Sequence, residues 1–296
     1  MKMTKSIFPI LISFAWAYSA QAGDLGWHQW TQDETIQFGG FVYEMNAIKV
    51  INSGDGADRR VVYGDRFGSI RVLRLKDERL IEEWVSDPLR SAIMQIFVED
   101  IDGDKKLEIV AYTEVGDITI YKADDYKVVW SLEQDEYESI SAMLVENVDD
   151  DPQLELVFSA SKLADAENFQ PGLSGNQEEL DRERKIARLF IFDCLNLFVE
   201  WESELGLFAE RMVVGDLDAD GNLEVALNTG FVVDLNYRTV EWIYPEGFGL
   251  EIGYADVDAD GIPELIGEFQ SPTPPRRFLR FFDVDLQAEN FLFSRR

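Results

Sequence analysis

Acidic side chains recur at one spacing in four short segments of this 296-residue chain. Each segment carries an oxygen-bearing residue at relative positions 1, 3, 5 and 9 and continues into an apolar run. The four sets are Asp100, Asp102, Asp104 and Glu108; Asn147, Asp149, Asp151 and Glu155; Asp216, Asp218, Asp220 and Glu224; and Asp256, Asp258, Asp260 and Glu264. Carboxylates crowded into so few residues repel one another unless a cation lies among them. The spacing therefore predicts sites for a hard cation.

Calcium is the cation that these ligands favour, at up to four sites. It takes about six to eight oxygen ligands from carboxylates, carbonyl groups and water, whereas magnesium demands a stricter octahedral geometry. Zinc and copper prefer histidine and cysteine, and this chain has one of each. An EF-hand does not fit, because its bidentate Glu at position 12 would be Ala111, Phe158, Leu227 or Gly267. The alternative is a metal-free turn in which the acid at position 9 accepts hydrogen bonds from backbone amides.

Five units of one design carry these segments. The units start near residues 52, 100, 147, 216 and 256. In the first, a decayed copy at Asn52, three would-be ligands are replaced by Gly54, Gly56 and Arg60. An aromatic residue ends the last apolar run of each unit, namely Trp84, Trp130, Trp201, Trp242 and Phe291. A period of roughly 40 to 50 residues indicates a repeat architecture.

Each unit reads as four short strands. The second unit contains four β-branched or aromatic runs separated by turn residues: Met94–Val98, Leu107–Tyr112, Ile118–Tyr121 and Lys127–Trp130. Repeated four-strand units are typical of propeller blades. We therefore predict an all-β fold, a β-propeller of about five four-stranded blades over residues 45–296, with the acidic loops between the first and second strands of a blade. An open solenoid of hairpin-linked strands is the alternative.

An insertion at residues 161–188 enlarges the third unit between its second and third strands. It is rich in polar residues, and its part from Glu178 to Ala187 has the composition of a short helix. Successive turns of a blade point to opposite ends. The insertion should therefore project from the face opposite the acidic loops, together with the connections between blades.

The first 22 residues have the features of a signal peptide. Lys2 and Lys5 precede the apolar run Ile7–Tyr18, and Ala20 and Ala22 give the small-x-small form of a cleavage site. That run is shorter than the roughly 20 residues that span a bilayer, and no later segment is long and apolar enough. We predict export to a periplasm or secretion, with no membrane insertion after cleavage. Residues 23–44 would then supply a closing strand, a cap or a tether.

The acidic loops resemble the calcium-binding loops of the FG-GAP/VCBS repeats, the integrin-α-like β-propeller family. The resemblance covers about residues 45–296, and the Trp-terminated run Tyr121–Trp130 is also similar to quinoprotein-type propeller repeats. Position 9 is Glu where the strongest calcium-binding members have Asp. Position 6 is Gly only at Gly221 and Gly261, with Lys105 and Pro152 in the other loops. The resemblance implies bound calcium and a role in extracellular recognition or adhesion.

The charge balance restricts the partners. With 57 acidic and 27 basic residues, the chain has a net charge of -30, which excludes a general nucleic-acid binder that needs basic surface. One histidine, His28, and one cysteine, Cys194, give no nucleophilic triad and no internal disulfide. We therefore predict an exported, non-catalytic scaffold that presents one face to a protein or glycan partner.

Two alternatives to a scaffold remain open. The first is a propeller-based polysaccharide lyase or hydrolase, for which the candidate charges are the basic residues of the insertion, Arg182, Arg184, Lys185 and Arg188. The second is a cell-envelope assembly factor. The lyase or hydrolase predicts turnover of a polysaccharide, and the assembly factor predicts a stable partner that co-purifies.

Overall fold

The computed structural model describes residues 47–52, 59–77, 79–132, 135–149, 151–168 and 182–291. The predicted signal peptide, the segment 23–44 and His28 lie outside these ranges, as do Gly54, Gly56 and the middle of the insertion. Export therefore stays a prediction. Within the described ranges, no helix has the length and hydropathy needed to cross a membrane.

The described chain forms five four-stranded antiparallel sheets whose strands neighbour one another in chain order. The first sheet contains β1 (Ile48–Asn52), β2 (Arg59–Gly64), β3 (Ile70–Lys76) and β4 (Arg79–Val85). The second contains β5 (Ile93–Glu99), β6 (Glu108–Thr113), β7 (Ile118–Lys122) and β8 (Val128–Ser131). The third contains β9 (Tyr137–Glu146), β10 (Glu155–Lys162), β11 (Ala187–Asp193) and β12 (Phe198–Glu202).

The last two sheets repeat this plan. The fourth contains β13 (Met212–Gly215), β14 (Glu224–Leu227), β15 (Phe231–Asp234) and β16 (Thr239–Ile243). The fifth contains β17 (Ile252–Ala255), β18 (Glu264–Pro272), β19 (Pro275–Asp283) and β20 (Ala288–Glu289). The predicted all-β fold and its count of five four-stranded units are confirmed.

Apolar cores between consecutive sheets hold the fold together. In the three inner sheets the second strand (β6, β10 or β14) is buried on both faces, because successive side chains along a strand point to opposite sides. Ile109 of β6 lies in the core shared with the first sheet, and Val110 lies in the core shared with the third. In the same way, Val225 and Ala226 of β14 belong to two different cores. The sheets therefore pack face to face in chain order, which gives a propeller-like arrangement.

The four recurring tryptophans complete these cores from the fourth strand of a sheet, whereas Phe291 follows β20 and is exposed. Three tryptophans contact an aromatic ring of the following sheet: Trp84 with Tyr121 at 5.1 Å, Trp130 with Phe192 at 4.6 Å and Trp242 with Phe282 at 6.3 Å between ring centroids. Trp201 packs against the core between the third and fourth sheets. A large ring at this position closes the outer end of an inter-sheet core, which explains its repetition.

The insertion leaves the third sheet after β10 and returns at β11. It begins with helix α1 (Leu163–Asn168), which the sequence analysis did not predict, because six residues are too few to show a helical period. Of the helix predicted from Glu178 to Ala187, residues 178–181 lie outside the described ranges, and Ala187 is not helical. Residues 182–186 are helical, but Ala187 already pairs with Ser161 as the first residue of β11.

Candidate functional site

Each acidic segment connects the first strand of a sheet to its second strand. The four connections are β5 to β6, β9 to β10, β13 to β14 and β17 to β18. Because the sheets pack in chain order with one strand plan, these connections lie at the same end of their sheets. The acid at position 9 is the first residue of the second strand in every case.

Side-chain to backbone hydrogen bonds shape the loops. In the fourth sheet, the amide of Asp220 donates to Oδ1 of Asp218 at 3.0 Å, and the amide of Asn222 donates to Oδ1 of Asp220 at 2.8 Å. The same two-residue spacing recurs in the other three loops. An Asx turn of this kind lets a short polar side chain order the backbone beside it. The acidic residues therefore build the loop as well as line it.

Left-handed backbone at positions 4 and 6 allows these tight turns. Gly221 has φ 93° and Ala219 has φ 61° in the fourth-sheet loop. The second-sheet and fifth-sheet loops repeat this conformation at Gly103, Lys105, Ala259 and Gly261. Pro152 holds position 6 in the third-sheet loop, where its ring fixes φ near -65°. The third-sheet loop therefore follows a different path at that point.

The Glu at position 9 is buried in all four loops. Its Oε2 accepts a hydrogen bond from the amide at position 2, at 3.1 Å in Glu108, 2.8 Å in Glu155, 2.7 Å in Glu224 and 2.8 Å in Glu264. This is the backbone contact that a metal-free turn predicts. It uses one carboxylate oxygen and leaves the other for a second partner.

The fourth-sheet loop leaves that second oxygen without a partner. Glu224 is 1% exposed, and within the described chain no group is within hydrogen-bond distance of its Oε1 or of the buried Oδ1 of Asp216. One oxygen from each of Asp216, Asp218 and Glu224 lies within 4.8 Å of the others. Burial above all, and the charge of Asp218, raise the pKa of Glu224 to about 8, against the hydrogen bond from Leu217. A cation would satisfy these oxygens together.

Glu241 of β16 adds a further acid that the sequence analysis missed. Its Oε2 is buried and has no hydrogen-bond partner in the described chain. Burial, followed by the nearby charge of Asp218, raises its pKa. In the sequence, β14 and β15 separate Glu241 from the acidic loop. Glu241 comes close to the cluster only because the strands pair in the folded sheet.

The other loops likewise bring together three of their four predicted residues, which in the second-sheet loop are Asp100, Asp102 and Glu108. Oxygens of Asp149, Asp151 and Glu155 form one group within 4.8 Å, and burial raises the pKa of Glu155 to about 7. Asn147 instead turns its amide nitrogen toward the carbonyl of Asp151. In the fifth sheet, the group comprises Asp256, Asp258 and Asp260, all exposed, without Glu264. The fourth predicted residue is absent from the group in each case.

Lys122 of β7 distinguishes the second-sheet loop. Its Nζ donates to Oε1 of Glu108 at 2.9 Å, to Oδ2 of Asp102 at 2.9 Å and to Oδ2 of Asp104 at 3.3 Å. A sequence signal was present. Lys122 stands 8 residues before Trp130, where the other units with acidic loops carry Asp193, Asp234 and Asp283 before Trp201, Trp242 and Phe291.

The insertion meets the inter-sheet connections at the opposite end of the sheets. Arg182 donates to Glu138 at 3.0 Å beside a cavity of about 660 Å³, whose walls include Phe208 and Leu250. These two residues also line a second cavity of about 770 Å³. These contacts place Arg182 of the insertion on the face away from the acidic loops.

The candidate residues for catalysis have structural contacts. Arg182 pairs with Glu138, and Arg188 donates to Asp165 at 2.9 Å, which ties β11 to α1. Arg184 and Lys185 are exposed. Cys194 is buried, and burial raises the pKa of its thiol, so the reactive thiolate is disfavoured.

The comparisons with known proteins support the fold alone. No protein-family model matches the chain, and no curated protein matches it. The biofilm matrix protein Bap1 of V. cholerae is similar in structure, with a TM-score of 0.52 and 16% identity over 81% of this chain and 37% of that chain. BBS1N, solved in complex with ARL6DN, gives a TM-score of 0.50 and 12% identity over 83% of this chain and 67% of that chain. BamB from Moraxella catarrhalis gives a TM-score of 0.46 and 15% identity over 84% of this chain and 66% of that chain.

Proposed function

We propose that this protein is an exported, non-catalytic propeller scaffold that binds calcium in its acidic loops and recognises a protein or glycan on the opposite face. One observation carries the calcium part of the proposal. The buried Oε1 of Glu224 has no partner in the described chain, and a carboxylate oxygen of Glu224 lies within 4.8 Å of oxygens of Asp216 and Asp218. Leaving a buried polar group unpaired costs about 1–3 kcal/mol, and more if it is charged. Calcium would remove that cost.

The residues at the fourth-sheet loop fit calcium in kind and number. Asp216, Asp218 and Glu224 supply carboxylate oxygens, Asp220 and Glu241 lie beside them, and calcium accepts backbone carbonyls and water for the remainder. Calcium would offset part of the negative charge of the cluster and hold β13 to β14. A cation that binds only the folded chain stabilises it by about 2.7 kcal/mol per site at a hundredfold excess over Kd.

Calorimetry tests this proposal. The mature chain, treated with a chelator and then titrated with calcium, should bind calcium and unfold at a higher temperature. Asp218→Asn should weaken the response, while the matched control Asp87→Asn should leave it unchanged, because Asp87 is exposed on the β4 to β5 connection at the other end of the sheets. Absence of binding heat together with an unchanged melting temperature would refute calcium binding.

Recognition is assigned to the face with the insertion, because two cavities of about 660 and 770 Å³ lie there, each lined by both polar and apolar side chains. Phe208 and Leu250 give apolar contact area, and Glu114, Glu210 and Glu251 surround the first cavity with carboxylates. A glycan or a polar peptide fits such a mixed surface.

A screen for turnover separates the scaffold from an enzyme. The chain should leave acidic polysaccharides intact. Cleavage that is lost in Arg184→Ala, a variant at an exposed residue beside the second cavity, would establish the lyase or hydrolase alternative instead. N-terminal sequencing of the protein recovered from outside the cytoplasm should begin at Gly23 and tests the export prediction.

A further inference from the structure

The ammonium group of Lys122 lies among the carboxylates of the second-sheet loop. It makes three hydrogen bonds of 2.9, 2.9 and 3.3 Å, to Glu108, Asp102 and Asp104. These are three of the four residues whose spacing predicted a cation site. Charge-assisted bonds of this length are among the stronger hydrogen bonds of a protein. The loop therefore already contains a cation.

Oε1 of Glu224 in the fourth-sheet loop corresponds to the Glu108 oxygen that Lys122 contacts in the second-sheet loop. Glu108 and Glu224 both use Oε2 for the amide at position 2. Oε1 of Glu108 accepts from Lys122, whereas Oε1 of Glu224 has no partner in the described chain. The strand register explains the difference, because Lys122 stands directly opposite Glu108, while Asp234 stands opposite Glu224.

Charge and position make the ammonium hard to displace. A lysine ammonium group is positively charged at neutral pH, and Glu108, Asp102 and Asp104 hold it by three hydrogen bonds. Calcium would need oxygens of the same carboxylates at about 2.3–2.6 Å. It would therefore have to stand close to the ammonium group, where the two positive charges repel each other.

We propose that Lys122 is the resident cation of the second-sheet loop and thereby confines calcium to the other acidic loops. It pairs three of the four acids and leaves Oδ1 of Asp100 as the one buried oxygen of their side chains without a partner in the described chain. The inference rests on the proposed calcium binding for its second half and on the geometry of Lys122 alone for its first half. Lys122 thus determines whether the second-sheet loop can bind calcium.

Calcium stoichiometry of the mature, chelator-treated chain tests the second half. Asp102→Asn should leave the number of bound calcium ions unchanged, whereas Asp218→Asn should lower it by one. Lys122→Met should raise it by one, and adding Asp102→Asn to Lys122→Met should remove that gain. A drop of one ion in Asp102→Asn alone would overturn the inference, because it would show calcium in the second-sheet loop of the unaltered chain.

Thermal unfolding in chelator tests the first half without calcium. Lys122→Met should lower the melting temperature several times more than Lys127→Met, because Lys127 is an exposed lysine that pairs only with Asp125 among the described residues. Lys122→Gln serves as a second variant if Lys122→Met does not fold. A fall no larger than that of Lys127→Met overturns the inference. A chain that binds no calcium, but shows the larger fall, refutes the proposed function and leaves the role of Lys122 supported.

Discussion

The fourth-sheet and fifth-sheet loops have the same acidic pattern and Gly at position 6, yet their first aspartates differ. In the fourth-sheet loop, Oδ1 of Asp216 is buried and has no partner in the described chain. In the fifth-sheet loop, the carboxylate of Asp256 accepts from the amides of Asp260 at 3.2 Å and Gly261 at 3.1 Å. One loop leaves a carboxylate oxygen available to a cation, and the other satisfies it from its own backbone.

The neighbouring sheets explain this difference. The fourth sheet shares apolar cores with the third and the fifth, whereas the described contacts of the fifth sheet form a core with the fourth only. Asp216 and Asp218 are accordingly half-buried, while Asp256 and Asp258 are exposed. Charge interactions are stronger where water is excluded. The sequence motif thus determines which ligands a loop carries. The number of neighbouring sheets determines how deeply those ligands are buried, and therefore how much a cation stabilises them.

The largest effect is expected when the buried acid of each loop is neutralised. At pH 8.5 in saturating calcium, Glu224→Gln should remove most of one site's stabilisation, about 2.7 kcal/mol at a hundredfold excess over Kd, or on the order of 5 °C in melting temperature. In chelator, the same variant should be more stable than the unaltered chain, because it removes an unpaired buried charge.

Glu264→Gln is the matched control and should cause smaller changes of both kinds. Differential scanning calorimetry of both variants, with calcium and with chelator, measures the contrast. Equal effects at the two positions would contradict the comparison.

The next largest effect should be a pH dependence of the melting temperature. The pKa of Glu224 is raised to about 8 in the folded chain, above an unfolded value of about 4.3. Its stabilising contribution is therefore complete below pH 4.3 and is lost as the pH rises through 8. In chelator, the melting temperature should fall between pH 6 and pH 8.5. Glu224→Gln should flatten this fall, and so should calcium, since it favours the ionised carboxylate. A fall that persists unchanged in Glu224→Gln would assign it to other groups.

The first aspartates should give a smaller effect, of opposite sign in the two loops. Asp256→Asn should destabilise the chain in chelator by about 1 kcal/mol, because it weakens charge-assisted bonds to two amides. Asp216→Asn should be neutral or stabilising in chelator, because it removes a charge whose Oδ1 lacks a partner in the described chain. Urea unfolding at constant pH measures both. Destabilisation by Asp216→Asn as large as that by Asp256→Asn would count against the difference.

The glycines at position 6 should give the smallest difference between the loops. Gly221 and Gly261 have φ 93° and 96°, and a β-carbon at either would meet nothing within 4 Å. Alanine there would cost only backbone strain, about 1–2 kcal/mol. Gly221→Ala and Gly261→Ala should therefore destabilise equally in chelator, as urea unfolding would show. An unequal cost would mean that the two loop backbones differ beyond their carboxylates.

Much of the fold was predictable because its signals are local. The spacing of Asp216, Asp218, Asp220 and Glu224, followed by an apolar run, identifies a loop and the strand after it without any knowledge of the sheet. Lys122 and Glu241 escaped prediction because their effect depends on cross-strand register, which places them beside acids 14 and more residues away. Helix α1 escaped because six residues carry no detectable period.

The burial of β14 in two cores has a consequence for cooperativity. Glu224 begins β14, whose next two residues, Val225 and Ala226, lie in separate cores. In arrays of repeats, neighbouring units unfold together to the extent that their interfaces couple them. An ion held at Glu224 would thus restrain the opening of both adjoining interfaces. Amide hydrogen exchange should slow in β10 and β18 alike when calcium binds, although neither strand belongs to the sheet that holds the ion.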